Sequence, residues 1–208
     1  MNKANIVEEN LKTSFQVHSW IEQRLDGLEI PKKSRPVISA GCHDVVIEHH
    51  FGITTLIKSK IYSSSFALVR PLFETFVRGV WLQNCASDDE LKKFNNDSLD
   101  KKFGVLLGDI EKLDGFSSKV LSNLKEQAWS EMCGFTHGGI QQIGRRVLND
   151  EIYPDFREDE IVEVIRLCQA FSLLSFIQIV GVANRVDLAN DAIELLYKLN
   201  LFVKKDKV

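Results

Sequence analysis

The apolar residues of this 208-residue chain recur with a helical period almost from end to end, and no two adjacent runs alternate with the period of two that paired strands require. A chain patterned this way folds by packing helices on helices. Val7, Leu11, Ser14, Phe15, His18, Ile21, Leu25 and Leu28 fall on one stripe of a long first helix that ends near Gly27. Pro31 and Pro36 punctuate a short link, and a second helix is predicted over Val37–Lys58. A third follows Ser63-Ser64-Ser65 and runs to about Cys85. Residues 87–101 are charged and poorly periodic, with Ser87 or Asp88 able to cap a short helix. Phe103–Leu113 reads as a short helix closed by Asp114-Gly115, and Ser117 or Ser118 caps the next, through Leu121, Leu124, Ala128 and Met132. Thr136 is read as the cap of a helix reaching Leu148, Asn149–Asp155 as a loop, Glu158–Ala183 as a long apolar helix, and Asp187 as the cap of a last helix ending near Val203. The predicted class is therefore all-α: one helical bundle over 1–208 with a buried central helix near 160–183.

Charge and composition narrow the function classes. The chain is 44% hydrophobic and 26% charged with a net charge of −3, which suits a globular protein and argues against a strongly basic nucleic-acid binder, though not against a local basic cleft. Lys204, Lys205 and Lys207 form a small basic tail. The first residues lack the apolar core of a signal peptide. The greasiest run, Leu167–Ala183, carries Gln169, Ser172, Ser175 and Gln178 and is short for a membrane span, so no membrane partner is expected. Cys42, Cys85, Cys133 and Cys168 lie far apart without a C-x-x-C pair, as befits core residues of a cytoplasmic protein rather than a zinc site.

Two segments place charge where a plain core helix has no use for it. Phe66, Val69, Phe73, Phe76, Val77 and Val80 form one apolar face, and Arg70, Glu74 and Arg78 border it at successive turns. The stripe is either an ion-pair ladder or an anion clamp, since an arginine fork matches phosphate and carboxylate. Pro71 removes one helical hydrogen bond and should kink the helix near Ala67 or free a carbonyl there. The second segment runs from Thr136 to Arg146. With Thr136 as N-cap, His137 occupies a first turn whose free N–H groups favour anions and neutral imidazole. His137, Gln141 and Arg145 follow at successive turns, with Gln142 and Arg146 on the adjacent face. His43, Asp44, Glu48, His49 and His50 are dense in ligand-type side chains, but neither H-E-x-x-H nor E-x-x-H occurs, so no metal and no cofactor are expected, and His49 and His50 read as support for the site. There is no Walker A loop, dinucleotide-binding loop or nucleophile elbow.

At these residues the chain resembles a family of uncharacterised bacterial proteins. Glu48-His49-His50 matches its E-H-H segment, Ala67–Leu82 its A-L-V-R-P-x-F-E-x-x-V-R-G-x-W-L segment, and Thr136–Arg146 its T-H-x-G-x-x-Q-x-x-R-R segment, with Gln142, Arg145 and Arg146 on the last motif's glutamine and arginine pair. The likeness covers about Gly41 to Ala183. More distantly the chain resembles the HEPN superfamily of helical bundles, many of them RNA-cleaving toxins or defence proteins. That resemblance implies a setting of stress or phage defence. The superfamily's catalytic pattern, an arginine followed by a histidine after four to six residues, is absent: seven residues intervene between Arg35 and His43, Pro36 among them.

The expectation is a site where the Arg70–Arg78 helix meets His137. Arg70, Arg78, Gln142, Arg145 and Arg146 are the candidate ligand-binding residues, and His137 and Glu74 the candidate catalytic ones. Three functions compete. One is a binding or regulatory protein for an anionic small molecule or RNA. Another is a metal-independent ribonuclease-like toxin. The third is a structural ion-pair core acting through homo-oligomerisation.

Overall fold

The computed structural model of the protein describes residues 4–148 and 151–201. The basic tail and the predicted helix end at Val203 lie outside them, as do Asn149 and Asp150 of the predicted loop. The helices are α1 (Ala4–Leu25), α2 (Ser34–Lys58), α3 (Tyr62–Ala67), α4 (Val69–Asn84), α5 (Asp88–Asn95), α6 (Phe103–Ile110), α7 (Val120–Thr136), the single turn α8 (Ile140–Ile143), α9 (Glu158–Val182) and α10 (Val186–Lys198). A two-residue ribbon, β1 (Val147–Leu148) against β2 (Glu151–Ile152), occupies the stretch read as helix end and loop.

The centre is α2, α4 and α9, with α1 and α10 flanking α9. Every residue of the predicted apolar face is buried, Phe66 on α3 and the others on α4, where Phe73, Phe76, Val77 and Val80 are fully so. Burying side chains of this size contributes roughly 1.5–3 kcal/mol each. By length and composition α9 could cross a membrane, but 61% of its apolar window is buried inside the bundle. Its polar residues Gln169, Ser172 and Ser175 face inward as well.

Three helices approach closely at Gly79. A Cβ on Gly79 would stand 2.8 Å from His43 Nε2, so a larger residue would push α2 off α4. Ser39 Oγ donates to the Gly79 carbonyl at 3.1 Å, and His43 Nδ1 meets Ser175 Oγ of α9 at 3.2 Å. Trp81 lies on the edge of the charged stripe in sequence, yet it is fully buried and donates Nε1–H to Asp109 Oδ2 at 3.1 Å. Arg35 donates Nη1–H to the carbonyls of Leu82 and Ala86, both at 2.7 Å, and so caps the C-terminal end of α4.

Pro71 is the third residue of α4, where a helix has no intrahelical use for the N–H that proline lacks. The chain breaks at Leu68, one residue past Ala67, so the predicted single kinked helix is two, α3 and α4. The Ala67 carbonyl thereby loses its helical donor and faces Thr136 Oγ1 of α7 at 3.3 Å, whose one hydrogen is shared with the nearer Met132 carbonyl at 2.8 Å.

His50 belongs to a closed ring of hydrogen bonds between α1 and α2. Thr54 Oγ1 donates to the His50 carbonyl at 2.9 Å, which leaves Ser14 Oγ to donate to Thr54 Oγ1 at 2.8 Å and to accept from His50 Nε2–H at 2.7 Å. Burial pushes His50 down to about 3, with His18 acting in the same direction, and burial alone does the same to His43. Unfolding frees both rings to take up protons below about pH 6.5, whereas the folded protein refuses them until about pH 3. Their contribution to stability is thus present above the unfolded value and is lost as pH falls through that window. Urea unfolding should show a loss on the order of 2 kcal/mol per histidine between neutral pH and about pH 5. Equal stability at the two pH values would contradict this account.

Candidate functional site

Arg70 and Glu74 sit one turn apart on α4, and Arg70 Nε–H donates to Glu74 Oε1 at 2.8 Å. From the end of α7, His137 reaches the same guanidinium, with Arg70 Nη1 and His137 Nε2 2.6 Å apart. An arginine can only donate, so Nε2 accepts and the ring's hydrogen sits on Nδ1. Among the described residues these two bonds are the only ones that engage Arg70, leaving its Nη2 donors and one Nη1 donor for a ligand. The cluster is not sealed: the Arg70 and Glu74 side chains are 20% and 29% exposed, and His137 is exposed.

An aromatic platform completes the cluster. The Arg70 guanidinium carbon lies 4.8 Å from the centre of the Trp129 ring, and Lys125 Nζ lies 5.7 Å from it. Phe103 of α6 stacks on Trp129 at 4.9 Å with the planes 15° apart. Each cation–π contact is worth roughly 0.5–1 kcal/mol at an exposed site. Trp129 and Lys125, one turn apart on α7, were not singled out from the sequence. Their i, i+4 spacing is visible there, but the arrival of Arg70 from another helix is not.

The local structure around His137 is the reverse of the one expected. Thr136 ends α7 instead of starting a helix, and His137 is the residue that caps its C-terminus. Gly138 takes φ +66°, and Gly139 N–H donates to the Gly134 carbonyl at 2.7 Å, the six-to-one bond of a Schellman cap. The backbone groups beside His137 are therefore helix-terminal carbonyls, not the free N–H groups of a helix start. The next helical turn, α8, begins only at Ile140. The glycines are there for close approach: a Cβ on Gly139 would come within 2.9 Å of the Gly134 Cα.

The other candidates lie elsewhere. Arg145 pairs with Glu160 at the start of α9, where Nη2 donates to Oε1 at 2.7 Å and Nη1 reaches Oε2. The Glu160 hydrogen bonds hold the Arg145 guanidinium above its ordinary value, against the effect of burial. Burial raises Glu160, but its bonds to Arg145 outweigh that and hold the carboxyl below the usual range. Gln142 Nε2 donates to the Ser63 carbonyl at 3.5 Å. Arg78 stands close enough to Cys42 to oppose the burial that pushes that thiol up to about 11. Arg146 is exposed. Among the described residues no hydrogen bond or ion pair ties Arg78, Gln142, Arg145 or Arg146 to the Arg70 cluster. The supporting histidines are separate too, with His50 in the α1–α2 ring and half-buried His49 on α2. No group of three or more His, Cys, Asp or Glu among the described residues is placed to hold a metal.

Fold and site together define an all-helical bundle carrying an arginine–carboxylate–histidine cluster on an aromatic surface platform. The chain belongs to a family of unknown function, DUF6988, whose match spans residues 43–200 and so includes the whole cluster and leaves α1 outside. No curated protein and no solved structure matches it.

Gly139→Ala should strain the cap and displace His137 from Arg70, with a cost of about 1–3 kcal/mol from the clash with the neighbouring backbone. Thermal unfolding reads the stability loss and histidine NMR shifts read the displacement. A variant matching wild type in both would show that the close approach does not hold His137.

Proposed function

We propose that the protein is a binding module for a phosphate-bearing ligand with a planar base, a nucleotide or the end of an RNA strand. Arg70 offers its unused donors to the phosphate and Lys125 adds a second positive charge beside Trp129; the indole is already covered by Phe103 and by Arg70, so the guanidinium lying over it is the plane on which a base would stack. Glu74 orients the guanidinium, and His137 presents Nδ1–H as a further donor.

The observation that carries binding over cleavage is the bond from Arg70 Nη1 to His137 Nε2 at 2.6 Å. A general base needs its lone pair for the substrate's proton, and here that lone pair is held by a guanidinium. The HEPN-like alternative fares no better at Arg35 and His43. Arg35 is spent on the end of α4 and on Asp88, and His43 is fully buried against Ser175. A purely structural ion pair is disfavoured by the exposure of the cluster and by the unused donors of Arg70. A setting in stress or phage defence belongs to this proposal through the bundle resemblance alone.

Calorimetric titration with AMP, adenosine and inorganic phosphate tests the reading. AMP should bind more tightly than either fragment. Arg70→Ala should weaken AMP about 10-fold to 100-fold, as for the loss of a hydrogen bond to a charged group. Adenosine binding as tightly as AMP, or an Arg70→Ala variant with unchanged affinity, would sink the proposal. RNA cleavage by wild type that is lost in His137→Ala would replace it with the enzymatic reading.

A further inference from the structure

A hollow lies between α7 and α9, roofed at one end by the α3–α4 junction, with a volume of about 240 Å³. Its floor is apolar, formed by Val69, Leu124, Ala128, Met132, Val164 and Leu167. Its rim is charged and mostly acidic: Glu131, Glu160 and Glu163 against Arg145 alone. Arg145 forms two parallel bonds to Glu160, whose Oε1 also pairs with Arg157 at 3.2 Å, so neither Arg145 nor Glu160 is left to attract an ion. Glu131 and Glu163 are exposed, and no hydrogen bond or ion pair engages either among the described residues; Glu131 feels Arg145 only through space, so the mouth carries two carboxylates without a bonded partner over an oily floor. An anion entering it would meet like charge, and a neutral apolar group would leave that field unused.

We propose that this hollow binds a small amphiphilic cation: an ammonium head held between Glu131 and Glu163, on a body the size of one aromatic ring that rests on Met132 and Leu167. The volume falls below the roughly 300–1,000 Å³ of sites for drug-sized ligands, which fits so small an occupant. The Met132 thioether is polarisable and favours an aromatic edge. The site is independent of the Arg70 cluster. Ala128, on its floor, and Trp129, in that cluster, are consecutive residues of α7, and about 100° of rotation separates them around the helix axis.

Saturation-transfer NMR and calorimetry with three probes of one shape test the assignment: phenethylamine, which is protonated at neutral pH, phenethyl alcohol and hydrocinnamate. Wild type should bind the amine in preference to the alcohol by roughly threefold to tenfold, as two exposed carboxylates allow, and should bind hydrocinnamate least. Glu131→Gln together with Glu163→Gln, both exposed and harmless to folding, should bring the amine down to the level of the alcohol and leave the alcohol unchanged. Arg70→Ala should change none of these affinities. No saturable binding of the amine, preference for hydrocinnamate, or an amine preference that survives in the double variant would each overturn the proposal.

Discussion

A proline cannot donate a backbone hydrogen bond, and the arrangement of the cluster follows from that at Pro71. In an unbroken helix the N–H of residue 71 would satisfy the Ala67 carbonyl. Without it the chain stops at Ala67, turns at Leu68 and restarts at Val69, so that Arg70 and Glu74 fall in the first two turns of a new helix. The orphaned carbonyl then faces the hydroxyl of Thr136, the last residue of α7, which it shares with the Met132 carbonyl. One missing donor thus accounts both for the break that puts Arg70 in the first turn of α4 and for an acceptor that faces the end of α7. His137 follows Thr136 directly, and its contact with Arg70 is the next step outward from the same junction.

Helix existence and the buried faces were legible because they are local and periodic. The α4 face is buried residue for residue, α9 spans nearly its predicted bounds, and Ser87 caps α5 through a capping box with Glu90. The carbonyl that Pro71 frees was legible as well, since it lies four residues away, but the full break at Leu68, in place of a kink, was not. The direction of the chain at Thr136 was not. Threonine before glycines satisfies a helix start, while a glycine two residues past a helical run satisfies a helix end. Only the fold decides between them, through the bond from Gly139 to Gly134 and the turn at Gly138. The partners of Arg145 and His50 were hidden for a different reason. Glu160 and Ser14 lie 15 and 36 residues away, and no periodicity links them. The sequence offered several arginines for one anion, whereas the fold neutralises Arg145 with a carboxylate of its own.

The role of His137 turns on which end of a helix it occupies. At an N-terminus it would have stood among unpaired N–H groups, an environment for anions and for an imidazole with a free lone pair. At the C-terminus of α7 the neighbouring unpaired groups are carbonyls, which suit a cation. Arg70 is that cation, and by donating to Nε2 it fixes the ring's tautomer and leaves Nδ1–H as its remaining donor. The same side chain that serves as a base in one context becomes a donor in the other. A ligand at this cluster therefore meets donors from Arg70 and His137 and a positive charge from Lys125, with Glu74 the single carboxylate among them. Chemistry that must remove a proton would first have to break the Arg70–His137 bond, whereas an anion can be held without disturbing any contact of the cluster.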